Sequence, residues 1–471
     1  MLNAKLLKEI LLKENNKETT VNEQLIVDYK NFLNNGKTER ECVEQILKMA
    51  QKNGYKDISK FKKLSPGDKV YVTKMNKAVA LFEIGFEPIE KGMNILCAHI
   101  DSPRLDAKQN PFYEKDCITY MNTHYYGGIK KYQWTTLPLA IHGIVVKKDG
   151  KSVNVVIGEN NDEPVFCISD ILPHLAQEQL KEKASDFIKG EDLDVIMGSV
   201  SPSPKDENLT KEEKKDLKEK SKKTVLALLK EMYGIDEKDF ESAELEIVPA
   251  GKARDMGLDR SMILGYGQDD RSCAYASVAA MLEAHAGKRT TCCLCVDKEE
   301  IGSVGATGMA SNLFENMTAE IIALTEANYS ELTLRRCLAN SNMLSSDVNA
   351  AYDPMNAGLY DKENASMLGG GVTFQKYTGS RGKSGASDAN PEFIAKVRAA
   401  MYDSNVTYQM AELGKVDQGG GGTIAYHAAK YGMNVLDGGV AVLSMHAPWE
   451  ITSKEDISQL FECCKAFLGL N

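Results

Sequence analysis

No stretch of the 471-residue sequence approaches the roughly 18 consecutive apolar residues that a membrane span requires, so no spanning helix is expected. The amino-terminal "MLNAKLLKEILLKENN" sets Leu2, Leu6, Leu7, Ile10 and Leu11 at helical spacing. Lys5, Lys8 and Glu9 interrupt them, so the continuous apolar core of a signal peptide is missing as well. Basic excess is also absent. With 57 Lys and Arg against 67 Asp and Glu, the net charge of −10 argues against a broad nucleic-acid-binding face, which leaves peptides, proteins or small molecules as partners. The eleven cysteines are an odd number, and Cys292, Cys293 and Cys295 in "TCCLCV" have neither CxxC spacing nor a second pair. Buried thiols in a reducing cytoplasm are therefore expected, with a zinc knuckle as the sharper alternative. There is no internal repeat, and "GSRGKSG" at 379–385 has Tyr377 where a phosphate-binding loop needs its first glycine.

What is present reads as alternating α/β structure interrupted by a segment of different texture. Residues 1–60 read as helices with a break at "NNGKTER" and a stop near "KNGYKD". "DKVYVTKMNKAVALFEIG" and the apolar run Ile95 to Ile100 then read as strands. From 105 to 255 hairpin signals such as "KDGK" dominate. Within that stretch, the charged "SPSPKDENLTKEEKKDLKEKSKK" at 201–223 reads as an exposed loop leading into a surface helix. After 260 helix and strand alternate again: "SCAYASVAAMLEAHAGK" is a buried helix expected to end at Gly287, followed by the strand "TTCCLCVDKE". The expectation is a discontinuous α/β domain, residues 1–104 and 256–471, carrying a β-rich insert at 105–255.

Five short stretches at strand ends or helix starts carry side chains suited to hard divalent metals. They are His99 and Asp101 in "CAHIDSP", Asp269 and Asp270 in "GYGQDDRSC", Glu299 and Glu300 in "DKEEIG", Asp347 in "SSDVNAA" and His446 in "SMHAPWE". Each alone has a plainer reading: a turn pair for the HxD, a helix cap for Asp269, a turn aspartate for Asp347. Their shared placement at strand ends, where open α/β sheets gather their sites, favours one site. A two-metal hydrolytic centre needs a bridging carboxylate, one His and one further carboxylate per ion, and a base beside the water. This inventory supplies that set with one Glu left over, and Asp101, two residues past His99, is placed to hold the imidazole's second N–H.

The ordered set resembles the co-catalytic zinc aminopeptidases and, through "AHIDSPRLDAK", "ISDILPHLAQ", "EEIGSVGATG", "SSDVNAAYDP" and "VLSMHAPWE", the aspartyl aminopeptidase (aminopeptidase I-like) family. These anchors run from about residue 95 to 450. The resemblance implies a zinc-peptidase-like central sheet flanked by helices, with an inserted domain for oligomerisation. It also implies a cytoplasmic metalloaminopeptidase with two divalent ions per subunit, most simply zinc. By it His99 and Asp347 bind one metal, Glu300 and His446 the other, and Asp269 bridges them, with Asp270 the second candidate for the bridge. Glu299 is then the general base. Lys376 and His174 correspond to substrate-binding positions, and chains assemble into a tetrahedral dodecamer.

The chain also departs from the family. Ala350 stands where family members carry a His three residues after the ligand Asp, the segment after Lys376 is recast, and Gln177 and Glu178 occupy the region of a second His. Acidic amino-terminal residues therefore remain one substrate class among several. A glutamyl or deblocking aminopeptidase, a carboxypeptidase-like amidohydrolase and a non-catalytic assembly protein on the same fold are the competing readings. The run "QGGGGTIAYHAAK" at 418–430 is either a plain turn into a helix or a helix start presenting backbone N–H groups to a ligand.

Overall fold

In a computed structural model that describes residues 21–200 and 219–470, the central strands are buried on both faces, and their sequences show why. In Met93–His99, Leu96 and Ala98 point into one apolar cluster while Ile95 and Cys97 point into another. In Thr290–Val296, Cys293 and Cys295 join the first cluster, and Cys292, Leu294 and Val296 the second. Side chains alternate across a strand, so a strand covered on both sides is apolar throughout. The cysteines of "TCCLCV" are thus small core residues on both faces. All eleven cysteines are free thiols.

The chain divides into two compact units: Met1–Asp101, Ala253–Met445 and Trp449–Asn471 form one, Ser102–Lys252 with His446–Pro448 the other. The first unit holds a nine-stranded sheet. Its order is Lys56–Asp57, Lys69–Lys74, Ala78–Glu83, Thr290–Val296, Met93–His99, Asn342–Ser345, Asn434–Gly439, Val372–Gln375 and Tyr408–Met410. The four strands from Thr290–Val296 to Asn434–Gly439 run parallel. Across the start of three of them the amides of Asn94, Asn342 and Asn434 form a ladder at 3.0 and 3.1 Å. Asn94 also donates to the carbonyls of Leu468 and Leu470, which ties the last helix, Lys454–Leu468, to the sheet.

Helices Glu23–Asn35, Glu39–Lys52 and Gln268–Glu283 contribute buried apolar residues to the first of the two clusters, and Leu313–Thr325 and Glu331–Ala339 to the second. Thr38 and Glu41 form a full capping box on the second helix. The helix read as ending at Gly287 stops instead at Glu283, with Ala284 already extended. The carbonyls of Gly287 and Lys288 accept from the N–H groups of Phe86 and Glu87, and this pairing takes the chain out of the helix early. Within the "QGGGG" stretch Gly420–Gly421 pairs with Gly379–Ser380, and the helix that follows, Ile424–Ala429, is only six residues long. That geometry favours the plain turn.

The second unit is built on a six-stranded antiparallel sheet in the order Ser152–Ile157, Leu139–Val146, Ala243–Pro249, Arg104–Lys115, Ile118–Tyr126 and Val195–Ser199. Of the charged 201–223 segment, residues 201–218 lie outside the described residues, as does the first amino-terminal stretch. The helix Lys220–Tyr233 follows. Among the described residues no helix is long and apolar enough to cross a membrane.

Candidate metal centre

Three parallel strands end at one edge of the first unit, and each delivers a polar group just where its regular backbone stops. His99 closes Met93–His99, Asp347 lies two residues beyond Asn342–Ser345, and Glu299 and Glu300 follow Thr290–Val296 in a 3-10 turn, Glu299–Ile301. Lys298 and Gly302 flank that turn in left-handed conformation (φ 73° and 94°), so the two glutamates need not alternate as they would on a strand. Asp269 and Asp270 come from the start of Gln268–Glu283, where both have non-helical backbone angles; the peptide between them is cis.

His99, Asp269 and Asp347 each present a ligand atom, all within 4.8 Å of one another. His99 Nε2 lies 3.2 Å from Asp269 Oδ1 and 3.8 Å from Glu299 Oε2. Its Nδ1 lies 2.9 Å from the carbonyl of Asp101 and 3.3 Å from that residue's carboxylate. Nδ1 therefore carries a proton toward Asp101 in either charge state, and Nε2 is the ring atom that faces Asp269 and Glu299. Asp101 does more than orient the ring: its two carboxylate oxygens accept from the backbone N–H groups of Glu299 and Glu300, each at 3.2 Å. One buried aspartate thus holds both the imidazole and the di-glutamate turn.

Asp270 has a different task from its neighbour. Its Oδ2 accepts from the backbone N–H of His99 at 3.3 Å, and it is completely buried. Asp269 is the one that joins His99 and Asp347. Behind Asp347, a Cβ on Gly439 would lie 2.2 Å from the Asp347 carbonyl oxygen, so the "LDGGV" glycine lets the ligand loop approach the next strand.

Burial raises the carboxyl of Asp347 well above its usual range, and the charges of Asp270 and Glu299 raise it further. Burial does the same for Asp270, against the partial relief of His99. For His99 burial opposes the charged form, but bonds to Asp101 and Asp269 carry its pKa well upward. A cluster so rich in carboxylates and so poor in cations fits a divalent ion, and the imidazole-plus-carboxylate donor set suits zinc.

The other expected residues are placed as follows. His446 lies in the second unit with φ 64°, and its Nδ1 donates to the carbonyl of Gly128 at 2.8 Å, so its Nε2 carries the lone pair. Lys376 is exposed, one residue past Val372–Gln375. His174 is exposed in the turn Pro173–Leu175 of the second unit. Outside the expected set, His142 is a packed histidine of the second unit, buried with Nε2 3.0 Å from Glu159. Sequence reading missed Glu450, whose Oε2 accepts from the Asp269 backbone N–H at 3.1 Å. The closing Glu of "SMHAPWE" was in view, but a lone Glu at a strand start carries no spacing signal.

Comparison with known proteins shows the family. The family model described as aminopeptidase I zinc metalloprotease (M18) matches residues 32–468. A probable M18 family aminopeptidase 1 of Clostridium acetobutylicum is 56% identical over 445 residues, covering 94% of this chain and 93% of that protein. The crystal structure of an M18-family aminopeptidase from Thermotoga maritima superposes with TM-score 0.89 at 41% identity, covering 96% of this chain and 97% of that one. Aminopeptidase I from C. acetobutylicum gives 0.84 at 52% identity, covering 94% of each chain. The S. cerevisiae mApe1 dodecamer shares the fold, with TM-score 0.72 at 20% identity over 93% of this chain and 95% of that one. The fold and site define a metalloaminopeptidase, a hydrolase of the exopeptidase kind. Within that class the chain belongs to the M18, or aminopeptidase I, zinc metallopeptidase family.

Proposed function

We propose that the chain removes amino-terminal residues from peptides with two divalent ions per subunit, zinc by family. The observation that carries this reading is the convergence of His99, Asp269 and Asp347, with Glu299 3.8 Å from the imidazole Nε2. By the family resemblance His99 and Asp347 would hold one ion and Glu300 and His446 the other, with Asp269 available to both; the hydrogen bond that Asp270 makes to the His99 N–H supports Asp269 in that role. When bound, the ions supply Lewis acidity toward the scissile carbonyl and lower the pKa of water. Glu299 takes a proton from the attacking water and passes it to the amine as the C–N bond breaks. Asp101 keeps His99 and both glutamates in register throughout.

Lys376, at a strand end, is proposed to receive the acidic side chain of a preferred amino-terminal residue. The second unit is proposed as the self-association module of a cytoplasmic homo-oligomer, a tetrahedral dodecamer. Its exposed Ile171, Leu172, Leu175 and Leu180 support an apolar contact there, and the dodecameric mApe1 shares the fold.

Metal analysis with a substrate panel tests the reading. Two equivalents of metal per chain are expected, with activity lost on chelation and restored by zinc. Aspartyl and glutamyl substrates are expected to lead a panel that includes neutral and blocked residues. Full activity in metal-free protein would refute the mechanism, and a neutral-residue preference would refute the role of Lys376.

A further inference from the structure

Asp269 has to hold one carboxylate steady while its backbone leaves the helical path at φ −80° and ψ 107°. Its N–H belongs to the first turn of a buried helix, where no intrahelical acceptor exists. Glu450 Oε2 takes that N–H at 3.1 Å, and Glu450 is itself only 1% exposed.

Glu450 is in turn locked. Its carbonyl accepts from Gln268 Nε2 at 2.7 Å, and the same amide group donates to the Ile263 carbonyl at 3.3 Å. Gln268 Oε1 accepts from Tyr29 Oη at 3.0 Å and from Thr452 Oγ1 at 2.6 Å. The fully buried Gln268 therefore uses both donors and both acceptor positions, fixing the orientation of its amide. Strand pairing between Gly265 and Glu450 and between Ile263 and Thr452 sets the frame. From the other side, the Asp270 carboxylate is bonded to the His99 N–H.

We propose that Glu450, supported by Gln268, Tyr29 and Thr452, is a positioning residue that sets the Asp269 carboxylate for metal binding. This rests on the reading of Asp269 as a metal ligand. Glu450 acts as a hydrogen-bond acceptor for the Asp269 peptide. A chain of satisfied buried hydrogen bonds gives that peptide one position, and loss of an outer group that orients a ligand typically weakens metal binding about 10- to 100-fold.

The test is zinc affinity, measured by chelator competition without substrate, alongside the melting temperature of the metal-free protein. Glu450→Ala is expected to bind zinc about 10- to 100-fold more weakly. Glu450→Gln keeps an oxygen acceptor and is expected to stay within about fivefold of wild type. Tyr29→Phe, which removes one bond to Gln268, is expected to weaken binding about threefold, and it decides the matter alone if Glu450→Ala does not fold. Unchanged zinc affinity in the folded Glu450→Ala protein would overturn the proposal, even with a lower metal-free melting temperature, since a merely structural residue gives that result. A Glu450→Gln variant as weak as Glu450→Ala would overturn it too. Asp269→Asn separates the two levels. If that variant binds zinc normally, the ligand assignment is wrong; if it fails while Glu450→Ala does not, only the positioning role is wrong.

Discussion

Asp101 answers to three neighbours at once: the imidazole of His99 and the N–H groups of Glu299 and Glu300. Asp101→Asn keeps the shape but turns one acceptor oxygen into a donor, which must then face an N–H group. Its kcat is expected to fall about 10- to 100-fold, as steady-state kinetics with parallel metal analysis will show; wild-type turnover would refute the three-way role. His99→Ala removes a ligand outright and is expected to lower metal content as well as turnover. The HxD spacing made the His99–Asp101 relation legible, because residues two apart share one side of an extended chain. The bonds from Asp101 to the glutamates were not legible, since they join positions 198 and 199 residues apart through backbone groups that carry no sequence signature. The choice between Asp269 and Asp270 had the same obstacle. Two adjacent aspartates look alike until the fold gives one of them the N–H of His99.

Strand Asn434–Gly439 shows how elements beside the site are held and where they titrate. Asp437 accepts from Thr423 Oγ1 at 2.6 Å, tying the short helix Ile424–Ala429 to the sheet. Burial pushes its carboxyl up to about 7, against lowering bonds from Thr423, Ser345 and Ser387. The folded chain thus keeps a proton that the unfolded chain releases near pH 4. Between about pH 4 and 7 the native state binds more protons, so this group's contribution to stability falls as pH rises through that window. Asp437→Asn keeps an acceptor for Thr423 and removes the charge. It is expected to flatten the slope and to gain on the order of a few kcal/mol relative to wild type at pH 8 compared with pH 4. Asp456, also pushed up to about 7 by burial, is present in both proteins, so the comparison isolates Asp437. Thermal melts across pH 4 to 8 check this, and a difference between the proteins that is independent of pH would contradict it. Apolar patterning announced Lys69–Lys74, Ala78–Glu83, Met93–His99 and Thr290–Val296. It did not announce where Gln268–Glu283 would stop, because the pairing of Gly287 and Lys288 with Phe86 and Glu87 is a tertiary contact.

At the scale of the whole molecule, the change from helix–strand alternation to hairpin texture was readable because the two sheets obey different rules. The first is covered on both faces and reads as continuous apolar runs, whereas the second is antiparallel and joined in part by tight turns. Strand order was not readable, since Thr290–Val296 inserts between Ala78–Glu83 and Met93–His99 from almost 200 residues away. Leu175 and Leu180 of the second unit are 68% and 75% exposed, an apolar pair that assembly would cover. Leu175→Asp with Leu180→Asp is expected to shift the protein to smaller species in sedimentation velocity while leaving metal content per chain intact. An unchanged assembly would remove this surface from the interface.

The central claim is that Glu299 moves the proton while its neighbours hold the metal. Glu299→Gln tests it most directly, with turnover and bound zinc measured on the same purified sample. Retention of about two zinc ions per chain with kcat reduced at least about 10²-fold is the predicted result. Full activity in that variant would contradict the account.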